Sequence, residues 1–134
     1  MSTFSFDKSQ KLKSDKIIGQ LFQSGKSVAK FPIRLVWMPV ATREEDSLFQ
    51  IAVTVPKKNF KSAVSRNRIK RQLREAYRLN KSILYQSIAD TSVHYAMMIL
   101  YTGKEGFAYA HIEHSLIKAM RLMLREVGVQ GDSE

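Results

Sequence analysis

Apolar and polar residues alternate along "LFQIAVTV" (48–55). Phe49, Ile51, Val53 and Val55 fall on one side, and Gln50, Ala52 and Thr54 on the other. That is the period-two pattern of a strand with one side buried. Elsewhere the period lengthens. Ile17, Ile18, Leu21 and Phe22 recur at helical spacing behind Ser14 and Asp15, which can cap a helix, and Gly25 stands where a helix commonly stops. The spacing predicts a helix from about Asp15 to Ser24. "IRLVWM" after Pro32 is rich in strand formers, and "EED" at 44–46 marks a turn. Residues 63–85 predict a second helix, and "VHYAMMILY" (93–101) a strand buried in the interior. After "TGKEG" turns the chain, a last helix is expected from about Phe107 to Val127, with Tyr109, Ile112, Leu116, Met120, Met123 and Val127 as its apolar stripe. The order is α-β-β-α-β-α, with room for one more short strand. No repeat or linker interrupts it, so the pattern predicts one α+β sandwich over residues 1–134, with a core from about 10 to 127 and flexible ends.

Composition narrows the class. A chain of 134 residues, 44% hydrophobic and 25% charged, can bury one modest core. It has no cysteine, which excludes disulfides and thiolate zinc sites. No apolar run approaches the roughly 20 residues that span a bilayer, and "MSTFSFDKSQKLK" lacks the apolar centre of a secretion signal. The expectation is a cytoplasmic protein with no membrane partner. Charge changes the picture more. The net charge is +10, and the window from Lys57 to Lys81 holds ten cations (Lys57, Lys58, Lys61, Arg66, Arg68, Lys70, Arg71, Arg74, Arg78, Lys81) against one acid, Glu75, a local +9. So local an excess points to a polyanion, and nucleic acid is the commonest one.

The second helix carries most of that excess. At 100° per residue, Ile69, Leu73, Ala76, Tyr77 and Leu84 gather within about a third of the circumference, a stripe for packing on the sheet. Asn67, Lys70, Arg71, Arg74, Arg78 and Lys81 fall on the adjoining arc, and Arg66 projects beside the apolar stripe, toward a groove along the sheet. Like charges at i, i+4 cost an isolated helix a few tenths of a kcal/mol per pair. Several such pairs with one acid to offset them suit an anionic partner better than solvent. Arginine adds a planar fork that binds phosphate in a bidentate way and stacks on bases.

"RNRIKRQLREAYR" closely resembles the bacterial ribonuclease P protein subunit family. Arg66, Asn67, Arg68, Ile69, Lys70 and Arg71 match its Arg-Asn-Arg signature and the Ile/Leu-Lys-Arg that follows. "VPKKNFKSAV" resembles the lead-in to that signature, and "LFQSGKSVAK" the end of the first helix and its glycine turn, so the likeness covers roughly residues 10–125. The resemblance implies an α+β sandwich of the ribosomal protein S5 domain 2-like fold, with a mostly antiparallel central sheet and a left-handed βαβ crossover. It implies two partners, the catalytic RNA of ribonuclease P and precursor tRNA, whose 5′ leader the particle removes, and no obligate protein partner. It further implies that Arg66, Asn67, Arg68, Lys70, Arg71, Arg74 and Arg78 contact the catalytic RNA. A cleft between the first helix and the sheet would hold the leader, at Ile18, Phe22, Lys57 and Lys58. The family often has aromatics at both first-helix positions, and here Ile18 offers only apolar contact. Phe22 suits either a core anchor or a base-stacking cleft residue. The "KKNFK" loop is one residue longer than the commoner form, so Lys57 and Lys58 match approximately. Trp37 reads as core.

Nothing in the chain assembles chemistry of its own. The acids are scattered apart from "EED", and His111 and His114 at i, i+3 lack a third ligand at useful spacing. No catalytic or metal-binding residue is assigned, and Mg²⁺ is expected with the RNA subunit. The alternative is a structural or assembly RNA-binding protein of ribosomal type without a role in cleavage. A self-sufficient nuclease is a third class.

Overall fold

A computed structural model of the chain describes residues 15–40, 49–88 and 94–127. The expected turn at 44–46, the cap at Ser14 and the chain ends lie outside those residues. The elements run α1 (Asp15–Ser24), β1 (Lys26–Lys30), β2 (Ile33–Val40), β3 (Phe49–Thr54), α2 (Ala63–Asn80), α3 (Ser82–Ser87), β4 (His94–Tyr101) and α4 (Tyr109–Val127). The extra short strand is β1. Only Val28 of "KSVAK" is drawn inward, so the strand carries little hydrophobic pattern of its own.

The strands form one sheet in the order β1-β2-β4-β3. β2 pairs antiparallel with both β1 and β4, while β3 lies parallel to β4, Ile51 opposite Met97 and Thr54 opposite Leu100. β4 therefore has strands on both sides, which explains the unbroken apolar run of its sequence. Parallel pairing needs a crossover, and α2 with α3 supplies it.

Alternation along the strands divides the core into two layers. One face presents Leu35, Trp37, Phe49, Ile51, Met97 and Ile99 to Ile69, Leu73 and Tyr77 of α2 and to Ile112, Leu116 and Met120 of α4. The other presents Val36, Ala96 and Met98 to α1, whose Leu21 is the one side chain of that helix fully enclosed there. Gly25 ends α1 with its N–H donating to Leu21 O at 3.0 Å. A Cβ there would stand 2.6 Å from Leu21 O and 2.7 Å from Val36 Cγ1, so the helix can turn into β1 this close to the sheet only through glycine.

The second helix differs from the expected 63–85 span. It stops at Asn80, and Lys81 is a turn before α3 starts. Asn80 Nδ2 donates to Ala76 O at 2.9 Å, competing for a carbonyl of the last turn. Leu84 and Tyr85 N–H both donate to Lys81 O. Lys81 is consequently not on the cationic arc. It is 8% exposed, with its ammonium 5.9 Å from the Tyr85 ring centroid. Leu84, expected on the α2 stripe, is buried from α3 instead.

Candidate nucleic-acid interface

The interface begins where β3 ends. Residues 57–59 form a turn after Pro56, with Asn59 N–H donating to Pro56 O and Phe60 N–H to Lys57 O, and this leaves Lys57 and Lys58 exposed. Phe60 packs against Tyr101, with ring centroids 5.9 Å apart. Ser62 then caps α2, its Oγ accepting from Ser65 N–H at 3.3 Å. The first turn holds no acid. The helix N-terminus, with its partial positive charge, thus adds to the lysines before it.

Along α2 the signature residues separate by what they touch. Arg66 is half-buried, and its Nη1 donates to Phe60 O at 2.7 Å and Lys61 O at 3.1 Å, tying the basic loop to the helix. Asn67, Arg68, Arg71 and Arg74 are exposed and Lys70 is half-exposed. None of these five has a hydrogen-bonding side-chain partner or a carboxylate partner among the described residues. Arg78 differs, because its Nε and Nη2 grip both oxygens of Glu75, the shorter contact being 2.7 Å. The Arg78 hydrogen bond holds the Glu75 carboxyl below its ordinary range, and Glu75 raises Arg78 in return. The only acid of the basic window is thereby neutralised within the helix, and Arg68, Lys70, Arg71 and Arg74 keep their full charge toward solvent.

Of the second set of expected site residues, Ile18 and Phe22 belong to α1, across the sheet from α2. α1 packs on β2 and β4. Beside it, the α1-facing side of β3 keeps Gln50, Ala52 and Thr54 half-exposed. Ile18 is half-buried against this layer, whereas Phe22, one turn on, is 62% exposed. The core-anchor alternative for Phe22 is thus excluded, and Leu21 has that role. Trp37 is core, as expected. Lys57 and Lys58 are exposed in the turn that follows β3, so the four expected residues come from two elements, α1 and that turn. Gln50, Ala52 and Thr54, half-exposed on the α1-facing side of β3, were not among the expected site residues. The signal was present as the polar side of the "FQIAVT" alternation.

No group of three or more His, Asp or Glu residues is placed to hold a metal ion among the described residues. His111 instead stacks on Phe107 at 4.6 Å, and Glu113 accepts from Asn80 Nδ2 at 2.8 Å and from the Tyr109 hydroxyl at 3.5 Å. Burial, followed by Glu113, pushes the Tyr109 phenol up to about 12. No helix is long and apolar enough to cross a membrane among the described residues.

Comparison with known proteins gives a consistent result. The family model described as Ribonuclease P matches residues 6–123. The ribonuclease P protein component of Porphyromonas gingivalis (strain ATCC 33277) is 30% identical over 119 residues, covering 89% of this chain and 86% of that protein. The component from Chlorobium phaeobacteroides is 33% identical over 106 residues, covering 74% of this chain and 73% of its own. Among solved structures, a Staphylococcus aureus RNase P protein mutant with defective mRNA degradation activity superposes with a TM-score of 0.66 at 24% identity, covering 87% of this chain and 89% of that one. The RNase P protein of Thermotoga maritima gives 0.63 at 20% identity, covering 90% and 98%. These two likenesses establish the shared fold.

Proposed function

The chain belongs to the ribonuclease P protein family, the protein cofactor of the ribonucleoprotein that processes the 5′ end of tRNA, and from that premise we propose how its two surfaces divide the work. Asn67, Arg68, Lys70, Arg71 and Arg74 dock on the catalytic RNA. The observation that carries this reading is four cations on one helix, Arg68, Arg71 and Arg74 exposed and Lys70 half-exposed, without a carboxylate partner among the described residues, Glu75 being already taken by Arg78. Arg66 has a positioning role, fixing the loop before α2 through Phe60 O and Lys61 O. Across the sheet, Phe22 and Ile18 border a trough for the single-stranded leader, Phe22 offering a ring face to a base and the two lysines their charge to its phosphates.

Under this reading the bond-breaking step belongs to the RNA. Mg²⁺ is expected with the RNA subunit, where it would supply an activated water, and no residue of this chain is assigned to hold it. The protein's own contribution is electrostatic and positional. Its cations reduce the repulsion between two polyanions brought together, and its trough lengthens the grip on the substrate. Such a protein works in the cytoplasm, where precursor tRNA is made.

Reconstitution tests this. Added to a bacterial ribonuclease P RNA at low Mg²⁺, the protein should accelerate leader removal, and the purified chain alone should cleave nothing. Absence of stimulation with an RNA that is active at high Mg²⁺ would refute the proposed division.

A further inference from the structure

A second basic face lies on α4, outside the signature helix. His111, His114, Lys118, Arg121 and Arg125 are all exposed, and at 100° per residue they fall within about 80° of one another. Glu113 and Glu126, the acids of this helix, fall outside that arc. Ile112, Leu116, Ala119, Met120 and Met123 point into the core, so the basic arc faces away from the sheet. Among the described residues Lys118, Arg121 and Arg125 have no carboxylate partner. The design repeats that of α2: like charges at i, i+3 and i, i+4 with no carboxylate partner among the described residues.

The arc ends at a rigid aromatic step. His111 stacks on Phe107 with ring centroids 4.6 Å apart and an interplanar angle of 25°, and Phe31 meets Phe107 edge-on at 5.9 Å. Phe31 is nonetheless 60% exposed. Its backbone is pinned, because Ser115 Oγ donates to Phe31 O at 3.0 Å and Thr102 N–H donates to Pro32 O at 2.8 Å. Gly103 permits the approach, since a Cβ there would stand 3.2 Å from Pro32 Cβ and 3.3 Å from Phe107 Cε2. A large ring held in water by hydrogen bonds at its own carbonyl and at that of Pro32, at the end of a line of cations, has the make-up of a site for single-stranded nucleic acid.

We propose that the outward face of α4 is a second docking surface for the catalytic RNA, with Lys118, Arg121 and Arg125 on successive phosphates and an unpaired base stacked on Phe31. The inference rests on the family reading above. The catalytic RNA is the favoured occupant because α4 packs in the same layer as α2, on the side of the sheet opposite α1 and the proposed leader trough.

Binding of the full chain to a bacterial ribonuclease P catalytic RNA, measured across a salt series, tests this together with hydroxyl-radical footprinting. The triple variant Lys118→Ala/Arg121→Ala/Arg125→Ala should flatten the logarithmic salt dependence by about 2, at roughly 0.7 per phosphate contact. Phe31→Leu, which keeps an apolar contact for Phe107 but removes the ring face, should weaken binding about tenfold with the slope unchanged. Both variants should expose riboses that Arg71→Ala leaves protected. Wild-type slope and footprint in the triple variant would overturn the proposal, as would a defect seen only after precursor tRNA is added, which would assign the face to the substrate. If the wild-type chain itself fails to bind, the family-based reading falls, and this inference with it. If Arg71→Ala weakens binding while the α4 variants do not, this inference alone is lost.

Discussion

Arg66 and Arg71 carry the same charge five residues apart, yet the fold uses them differently. Arg66 Nη1 holds two carbonyls of the loop before α2, whereas Arg71 meets only solvent. Removing Arg66 leaves the partly buried Phe60 carbonyl without that donor, and hydrogen bonds from charged groups contribute about 1.5–3 kcal/mol. Arg66→Ala should therefore lower the unfolding free energy in urea by about 1–3 kcal/mol. Arg71→Ala should change it by less than about 0.5 kcal/mol but reduce the salt slope of RNA binding by nearly one unit. Equal stability losses in the two variants would contradict this division. Two tyrosines allow a separate test. Burial, then the charge of a nearby glutamate, raises Tyr101 and Tyr109 from 10.0 to about 12. The folded state holds these protons more tightly than the unfolded chain, so the associated stability is complete below pH 10 and disappears as pH rises from about 10 to 12. Alkaline unfolding should steepen over that window, and Tyr101→Phe or Tyr109→Phe should make the decline shallower. A tyrosinate absorbance titration with every ring ionising near 10 would rule out this effect.

At the scale of elements, what was legible in the sequence depended on how sharply a pattern ended. The limits of α1 could be read because Gly25 occupies a position where any Cβ would strike Leu21 O and Val36. The α2–α3 break could not be read. Helical period continues through Lys81, and the interruption comes from Asn80, whose side chain bonds both Ala76 O and the distant Glu113. A contact 33 residues away along the chain leaves no local signal. The same holds for Arg66: periodicity put it beside the apolar stripe, but its two carbonyl partners belong to the loop geometry. Which apolar residue of α1 stays outside the core was not legible either, because an exposed Phe22 and a buried Leu21 occupy adjacent positions of one apolar pattern, and the proposed leader site at Phe22 rests on the family resemblance. Asn80 joins α2 to α4, which yields a prediction at this scale. Asn80→Ala should cost about 1–2 kcal/mol through the lost bonds, which leave Glu113 Oε2 only the long contact from the Tyr109 hydroxyl. Asn80→Asp should cost more at neutral pH, where two carboxylates would face each other, and should recover toward the Ala value in acid as one takes a proton. A pH-independent difference between the two variants would exclude Glu113 as the partner that matters.

Over the whole molecule, the sheet is a partition. α2 and α4 share the core on one face with Leu35, Trp37 and Met97, and α1 packs through Leu21 on Val36 and Met98 of the other. On the proposed division, each polyanion would meet its own surface with the sheet between them. The two binding terms should then be independent. Phe22→Ala should reduce the preference for leader-bearing over leaderless substrate by about 1–3 kcal/mol, the range for loss of one stacked base, and leave affinity for the catalytic RNA unchanged. Arg71→Ala should do the reverse. In the double variant, assayed as the reconstituted particle, the two losses should add to within about 0.5 kcal/mol, as expected for separated sites without shared partners. A larger coupling energy would mean that leader and catalytic RNA meet on one continuous surface, and the sheet would no longer separate their tasks.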